Sequence, residues 1–174
     1  MIRKLNILLV ALTVVLAAGL AHANSMDLSH QVHHELAMLP YTTIWDWVEA
    51  DLQADGSVVL RGDVRKASIK SDAEFRVRRI EGVKSVTNEI RVLPVSQFDD
   101  QVRLGVYRSL FNSNSTLSGY ALGANPSIHI IVDNGHVTLK GVVGNAMDKQ
   151  VAGMKANGVF GVFSVENDLE IEHS

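Results

Sequence analysis

The sequence predicts an α+β protein of two tandem α-β-β-α-β domains, each with a three-stranded mixed sheet and two helices packed on one face. Three observations predict this class. Residues 55–92 align with residues 134–171 without a gap and share a third of their residues, so one unit occurs twice. Each copy contains two segments with apolar residues at helical spacing. Each copy also contains two alternating segments joined by Asp-Gly or Asn-Gly, and a third alternating segment follows later.

Each unit opens with an amphipathic helix and a β-hairpin. The helix is predicted by apolar residues four apart, which are Leu28, Val32 and Leu36 in the first copy and Val102, Val106 and Leu110 in the second. The first strand has apolar residues on one face, which are Val48, Ala50 and Leu52 in one copy and Ile128, Ile130 and Val132 in the other. Asp55-Gly56 and Asn134-Gly135 come next and suit the left-handed backbone of a two-residue hairpin turn.

A second helix and a last strand complete each unit. In the first copy residues 71–74 have the spelling of a capping box, although the helix could start one turn earlier. Its buried stripe is predicted to contain Ile69, Ala73, Val77 and Ile80. Gly82 and Gly161 are expected to end the two helices, because a residue in left-handed conformation commonly follows a helix. Residues 86–92 and 165–171 form the last strands.

The N-terminal residues predict export. Arg3 and Lys4 precede an apolar run over residues 7–20 and an Ala21-His22-Ala23 ending, a pattern typical of a cleaved secretory signal peptide. The alternative is a retained anchor, but the run is shorter than the roughly 20 residues that span a bilayer. We therefore expect a signal peptide at 1–23, a first domain at 24–93, a linker at 94–98 and a second domain at 99–174.

Composition narrows the possible partners. The chain has no cysteine, so neither a disulfide nor a lipid-bearing Cys is expected, and the exported protein should be soluble in the periplasm. The formal net charge of −3 becomes more acidic when Arg3 and Lys4 are removed with the signal peptide. An acidic chain argues against a nucleic-acid partner. No motif indicates a cofactor.

The repeated motif resembles the BON domain family. The second copy has NGHVTLKG at 134–141 and GVFSVENDLEI at 161–171, and the first copy matches well from residue 55 onward. Together the two copies cover nearly all of the chain after the signal peptide. The resemblance implies periplasmic, usually non-enzymatic domains that bind phospholipid surfaces and support envelope integrity under osmotic stress. Without a lipid-bearing Cys, the chain is similar to the soluble, osmotically inducible type.

Charge differs between the copies and suggests a lipid-binding face. Residues 61–91 contain nine basic and five acidic side chains, whereas residues 140–170 contain three and four. On the second helix of the first copy, an outward face is predicted to contain Lys66, Lys70, Phe75, Arg78 and Arg79. The alternative is a solvated face with internal ion pairs. The equivalent helix of the second copy offers Val151, Met154 and Lys155, which we expect to point outward.

Two further groups are candidates for contacts. Trp45 and Trp47 are predicted to lie opposite the apolar strand face, either at a membrane interface or, as we favour, at an interdomain or loop-covered junction. His30, His33 and His34 share one helix side with Asp27 at a spacing that metal sites use. We nevertheless predict no metal, because histidines opposite an apolar stripe are commonly just solvated and no supporting residues are identified around them.

The sequence contains no recognisable catalytic motif, since nucleophile-elbow, phosphate-loop and zinc-protease patterns are all missing. We therefore expect a non-enzymatic periplasmic protein that associates with anionic phospholipid surfaces. The alternative is a protein–protein adaptor or stress chaperone of the cell envelope, with an envelope protein as its partner.

Overall fold

A computed structural model describes residues 26–123 and 125–172 of the chain, and the predicted signal peptide at 1–23 lies outside these residues. The first unit contains α1 (26–37), β1 (Trp47–Leu52), β2 (Ser57–Val64), α2 (Ala67–Arg78), β3 (Ser85–Asn88) and β4 (Arg91–Val92). The second unit contains α3 (Gln97–Leu110), a short 3₁₀ helix (Ser118–Ala121), β5 (Ile128–Asp133), β6 (His136–Val143), α4 (Ala146–Asn157) and β7 (Ser164–Ile171).

Both units are two-layer structures, and the predicted tandem α+β class is confirmed. In each sheet the first two strands are antiparallel, and the last strand runs parallel to the central one. Two helices cover one face of each sheet. The first core is formed by apolar residues of α1, α2 and β2, which include Val32, Leu36, Val58, Leu60, Ile69, Ala73 and Val77. Within the described residues, no helix combines the length and apolar character needed to cross a bilayer.

The two hairpins differ, and the two-residue turn predicted for the first unit is wrong. The second unit has the expected turn, with Asn134 at φ 51° and Gly135 at φ 77° between the paired residues Asp133 and His136. In the first unit the loop has three residues, 54–56. Its Asp55 carboxylate accepts bonds from the amide and hydroxyl of Ser57, a local arrangement that holds Asp55 out of the left-handed conformation.

The start and end of the second helix also differ from expectation. Of the two predicted starts of this helix, the earlier one is confirmed and the capping box at residues 71–74 is not formed, because α2 begins at Ala67 and the Ser71 hydroxyl donates back to the Ala67 carbonyl. Gly82 does not end this helix either, since α2 ends at Arg78, and Gly161 likewise follows the end of α4 at Asn157. Both glycines lie in the turn that leads into the last strand, where they have positive φ.

The last strand is continuous only in the second unit. β7 has eight residues, but the equivalent strand of the first unit is split into β3 and β4. Asn88 lies at the break, where its side-chain nitrogen donates to the Lys70 carbonyl and its side-chain oxygen accepts from the backbone amide of Ile90. The second of these bonds occupies a backbone amide between β3 and β4. Asn167 keeps only the equivalent bond to Lys149.

The segment before β1 packs on the second unit. The Ile44 carbonyl accepts a bond from the amide of Ile130 at 2.8 Å, and the Ile44 side chain belongs to the core of the second unit. Arg65 forms a 3.0 Å ion pair with Asp100 at the start of α3. Asp100 also pairs with the buried Arg103. The two units therefore share a backbone hydrogen bond, core packing and a charge network.

A second set of charges links the two sheets. Arg91 lies 2.7 Å from Asp63 and 3.4 Å from Asp133 of the other unit. Burial raises the pKa of Asp63 and the nearby Asp133 charge adds to this, while Arg91 opposes both effects. The Arg91 guanidinium thus offsets the repulsion between the carboxylates of Asp63 and Asp133, which belong to different units.

Candidate functional site

The face of α2 predicted to bind lipid is exposed and partly basic. Phe75 is 60% exposed, and the Arg79 guanidinium lies 5.2 Å from the centre of its ring. Lys66 precedes the helix and lies 5.5 Å from the ring centre of Tyr41. Lys70 is half-buried. We refer to Lys66, Lys70, Phe75, Arg78 and Arg79 together as the basic helix face.

Acidic partners neutralise part of the basic helix face and its surroundings. Arg78 pairs with Glu74 one turn earlier on the same helix, and Arg76 pairs with Glu35 of α1 at 3.0 Å. The groove between α1 and α2, about 670 Å³ in volume, is lined by side chains of both charges, which are Glu35, Asp72, Arg76, Arg79 and Glu81, together with His34. Since opposite charges alternate here, this region attracts an anionic surface only weakly.

The second-unit candidates do not form an equivalent face. Met154 is 67% exposed, as predicted for an outward residue. The outward position predicted for Val151 is wrong, because this side chain is half-buried against the core of the second unit. Lys155 is also half-buried, and its ammonium donates to the Ser109 carbonyl of α3 at 3.1 Å. Lys155 therefore holds two helices together.

The two tryptophans lie near the junction of the units. Trp45 packs against the core of the second unit, with its ring centre 5.8 Å from that of Tyr107. Trp47 contacts His129 edge-on at 5.1 Å, and its indole nitrogen donates to Glu49. Between them Asp46 is buried, and its carboxylate accepts from the amides of Thr43 and Arg65. These contacts fix the path of the segment before β1, which packs on the second unit.

An exposed aromatic cluster lies at one end of the second unit. The rings of Phe98 on α3 and Phe163 before β7 stack with centres 5.7 Å apart, and His136 meets Phe163 edge-on at 6.0 Å. Phe163 is 69% exposed and Phe160, in the same turn, is 99% exposed. We name Phe98, Phe160 and Phe163 the aromatic patch. Adjacent aromatic side chains left in water are typical of a contact surface.

The backbone around the aromatic patch is well anchored. Asp99 follows Phe98 and is buried, and its carboxylate accepts from the amides of Asn134 at 3.1 Å and Gly135 at 2.8 Å. A side chain at Gly135 would collide with the rings of Phe163 and Phe98, so the turn lies directly beneath them. The start of α3, the β5–β6 turn and the turn before β7 therefore hold the patch from three sides.

The aromatic patch was not predicted from the sequence, although the repeat contains evidence for it. In the alignment of the two copies, Phe160 and Phe163 occupy the positions of Glu81 and Lys84 in the first copy. Glu81 and Lys84 are exposed, so the exchange of charge for aromatic rings occurs at surface positions. The difference between the copies thus lies at an exposed turn, whereas the predicted lipid-binding residues lie on helix faces.

The histidine cluster of α1 does not assemble a metal site. His30, His33 and His34 are exposed, and His34 lines the groove between α1 and α2. Among residues 26–123 and 125–172, no group of three or more His, Asp or Glu side chains is arranged to hold a metal ion. The most perturbed histidine is instead His129 at the junction, where burial lowers the pKa of the imidazole.

The comparisons with known proteins agree with the repeat. The family model for the BON domain matches residues 48–94 and 115–173, one match in each unit, and the resemblance seen in the sequence is confirmed. Members of this family are generally non-enzymatic. No curated protein matches the sequence.

Two similar solved structures come from Chlamydia trachomatis. One is CdsD, a structural protein of the type III secretion system, with 15% identity, 85% of this chain and 93% of that chain covered, and a TM-score of 0.34. The other is the C-terminal domain of CdsD, with 16% identity, 84% and 98% covered, and a TM-score of 0.30.

Proposed function

Because the chain belongs to the BON domain family, we propose that it is a non-enzymatic periplasmic protein that associates with anionic phospholipid surfaces and supports envelope integrity or osmotic-stress tolerance. The observation that best supports this proposal is the aromatic patch, in which Phe160 is 99% exposed and Phe163 is 69% exposed. Proteins that bind at membrane interfaces commonly place such apolar side chains at the boundary between headgroups and acyl chains.

The rings of the aromatic patch supply the apolar part of the binding. Full burial of a phenylalanine side chain is worth about 1.5–3 kcal/mol relative to its exposure in water. Phe160 and Phe163 lie on one turn, whereas Phe98 is already half covered by its neighbours and gains less. The amide of Phe163 donates to the Gly135 carbonyl at 2.9 Å, and Asp99 in turn fixes the Gly135 amide, so insertion of the rings requires little ordering of the chain.

The basic helix face supplies a smaller, electrostatic part. Each unpaired Lys or Arg near an anionic leaflet contributes about 1 kcal/mol. Lys66 and Arg79 are exposed and contact aromatic rings, whereas Arg78 is already paired with Glu74. The chain as a whole is acidic. Attraction to anionic lipid is therefore local, and it should strengthen the weaker binding that the rings provide by themselves.

Vesicle flotation tests this proposal. The protein without residues 1–23 should float with vesicles of phosphatidylcholine and phosphatidylglycerol at low salt, and binding should weaken as salt rises. Phe160→Ser together with Phe163→Ser should reduce binding at least tenfold. Leu122→Ser is a matched control, because Leu122 is 74% exposed but lies elsewhere in the second unit, and it should bind like the parent.

The same assay contains the outcomes that would refute the proposal. If the protein does not bind vesicles that contain phosphatidylglycerol at low salt, the proposed lipid association is wrong. If the double Phe variant and the Leu122 control bind equally well, the aromatic patch is not the surface that contacts the lipid. Lys66→Gln with Arg79→Gln should lower binding to anionic vesicles and leave weak binding to pure phosphatidylcholine unchanged.

A further inference from the structure

The strand β7 is an unpaired sheet edge within the described part of the chain. It pairs with β6 on one side over eight residues, and none of the described residues pairs with its other side. An edge of this length offers a row of backbone donors and acceptors to another extended chain. Sheet edges of this kind bind peptides by adding a strand, and main-chain hydrogen bonds then supply the affinity.

The corresponding edge of the first unit is blocked. There the strand is split into β3 and β4, with four and two residues, and Asn88 occupies the amide of Ile90 at the break. Short, interrupted edge strands are a common protection against unwanted strand addition. The same scaffold in one chain therefore has one protected edge and one continuous edge.

Acidic side chains determine which occupant suits β7. Glu166, Asp168 and Glu170 alternate with residues that face the helices, so they project from the open face of the sheet. Asp168 pairs with Lys140 on β6 at 3.0 Å. Glu166 and Glu170 are exposed, and neither forms an ion pair with any described residue. In the first copy Thr87 and Arg91 occupy the positions of these two glutamates.

We propose that β7 binds an extended segment of another envelope protein, one with basic side chains at alternate positions, as an added strand of the second sheet. The basic side chains would lie on the open face, opposite Glu166 and Glu170. A second copy of this chain suits the edge poorly, because pairing of β7 with β7 would place acidic side chains against each other. This binding goes beyond the proposed lipid association and does not depend on it.

Peptide titration followed by amide NMR tests the proposal without lipid present. The probe is an acetylated and amidated octapeptide of alternating Lys and Thr. We expect chemical-shift changes centred on residues 164–171 and slower hydrogen exchange of β7 amides. Glu166→Lys with Glu170→Lys should weaken binding about tenfold. Asp27→Lys with Glu81→Lys changes the net charge equally at exposed sites of the first unit and should leave binding unchanged.

Two N-methylated peptides separate strand addition from charge attraction. One peptide has methyl groups on the Lys amides and the other has them on the Thr amides. Alternate amides of an extended strand point to the same side, so either the Lys amides or the Thr amides face β7. In either strand orientation, one of the two peptides therefore cannot donate hydrogen bonds to β7. We expect one methylated form to lose binding. Equal binding by both forms, shifts that avoid residues 164–171, or equal weakening by the two charge-reversal variants would each overturn the proposal. Dimerisation of the free protein through β7 would overturn it as well.

Discussion

Asp99 accepts a hydrogen bond from the backbone amide of Gly135 at 2.8 Å, so a buried carboxylate at the start of α3 fixes the turn between β5 and β6. The same carboxylate accepts from the amide of Asn134 at 3.1 Å. Both residues lie between the paired residues Asp133 and His136, so their amides have no partner in the hairpin itself. The side chain of Asp99 therefore completes a turn that is 35 residues away in sequence.

Asp99→Ala should lower the free energy of unfolding by about 2 kcal/mol, because the buried amide of Gly135 and the partly buried amide of Asn134 lose their carboxylate acceptor. The measurement is denaturant unfolding monitored by circular dichroism. Asp55→Ala is the control, since this exposed carboxylate bonds only to Ser57 in the first-unit turn, and its loss should cost about 0.5 kcal/mol. Equal losses in the two variants would contradict the role assigned to Asp99.

Gly141→Ala should destabilise the protein severely. A methyl group at this position would lie 2.0 Å from the Ser127 carbonyl oxygen, and the φ of 117° is itself unfavourable for alanine. We expect a loss of at least about 3 kcal/mol, or failure to fold. Gly123→Ala separates the two causes, since Gly123 has a φ of 92° but open space around it, and should cost only about 1–2 kcal/mol. Similar losses in both variants would assign the effect to the backbone angle alone.

Gly141 also shows why the fold could be predicted from the sequence. It aligns with Gly62, and in both units a side chain would collide with the carbonyl oxygen of the opposite strand, at Ser127 and Trp47 respectively. The identities between the copies are thus concentrated where backbone or core geometry allows few residues. Helices, sheet order and core residues follow from such positions together with apolar periodicity.

The candidate sites could be predicted less well, because they depend on contacts between distant parts of the chain. Lys155 has the spacing of an outward residue, yet its ammonium bonds to Ser109 on another helix. Phe98 and Phe163 are 65 positions apart and meet only in the folded unit. Ile44 precedes the first sheet but contributes to the core of the second unit. Local periodicity contains no information on these pairings.

Trp45→Ala should weaken the coupling of the two units. The indole packs against the core of the second unit and against Tyr107, so its removal should cost about 2–3 kcal/mol. We expect denaturant unfolding to change from one transition to two, because the segment before β1 loses its largest apolar contact with the second unit. Phe160→Ala, which removes a fully exposed ring, should change stability by less than about 0.5 kcal/mol. A single, unshifted transition in Trp45→Ala would contradict this coupling.

The half-buried His129 should make the stability of the junction depend on pH. Burial lowers the pKa of the imidazole below the ordinary 6.5, while Asp46 and neighbouring backbone carbonyls oppose this shift. Within the described residues Nδ1 of His129 has no hydrogen-bond partner, so the folded protein favours the neutral ring. The unfolded chain binds the proton more readily, and stability should therefore fall as pH drops below about 6.5 until it passes the lowered pKa of the folded state.

His129→Gln tests this dependence, because glutamine keeps a polar side chain but does not titrate. Between about pH 8 and pH 5 the free energy of unfolding of the parent should fall more steeply than that of the variant, by at most about 1.4 kcal/mol per pH unit. Asp63 acts in the opposite direction: its raised pKa costs stability at neutral pH, and that cost is relieved as the pH falls through the raised value. Asp63→Asn in the His129→Gln background therefore removes the second effect. Parallel pH profiles for the parent and His129→Gln would show that His129 does not control the junction.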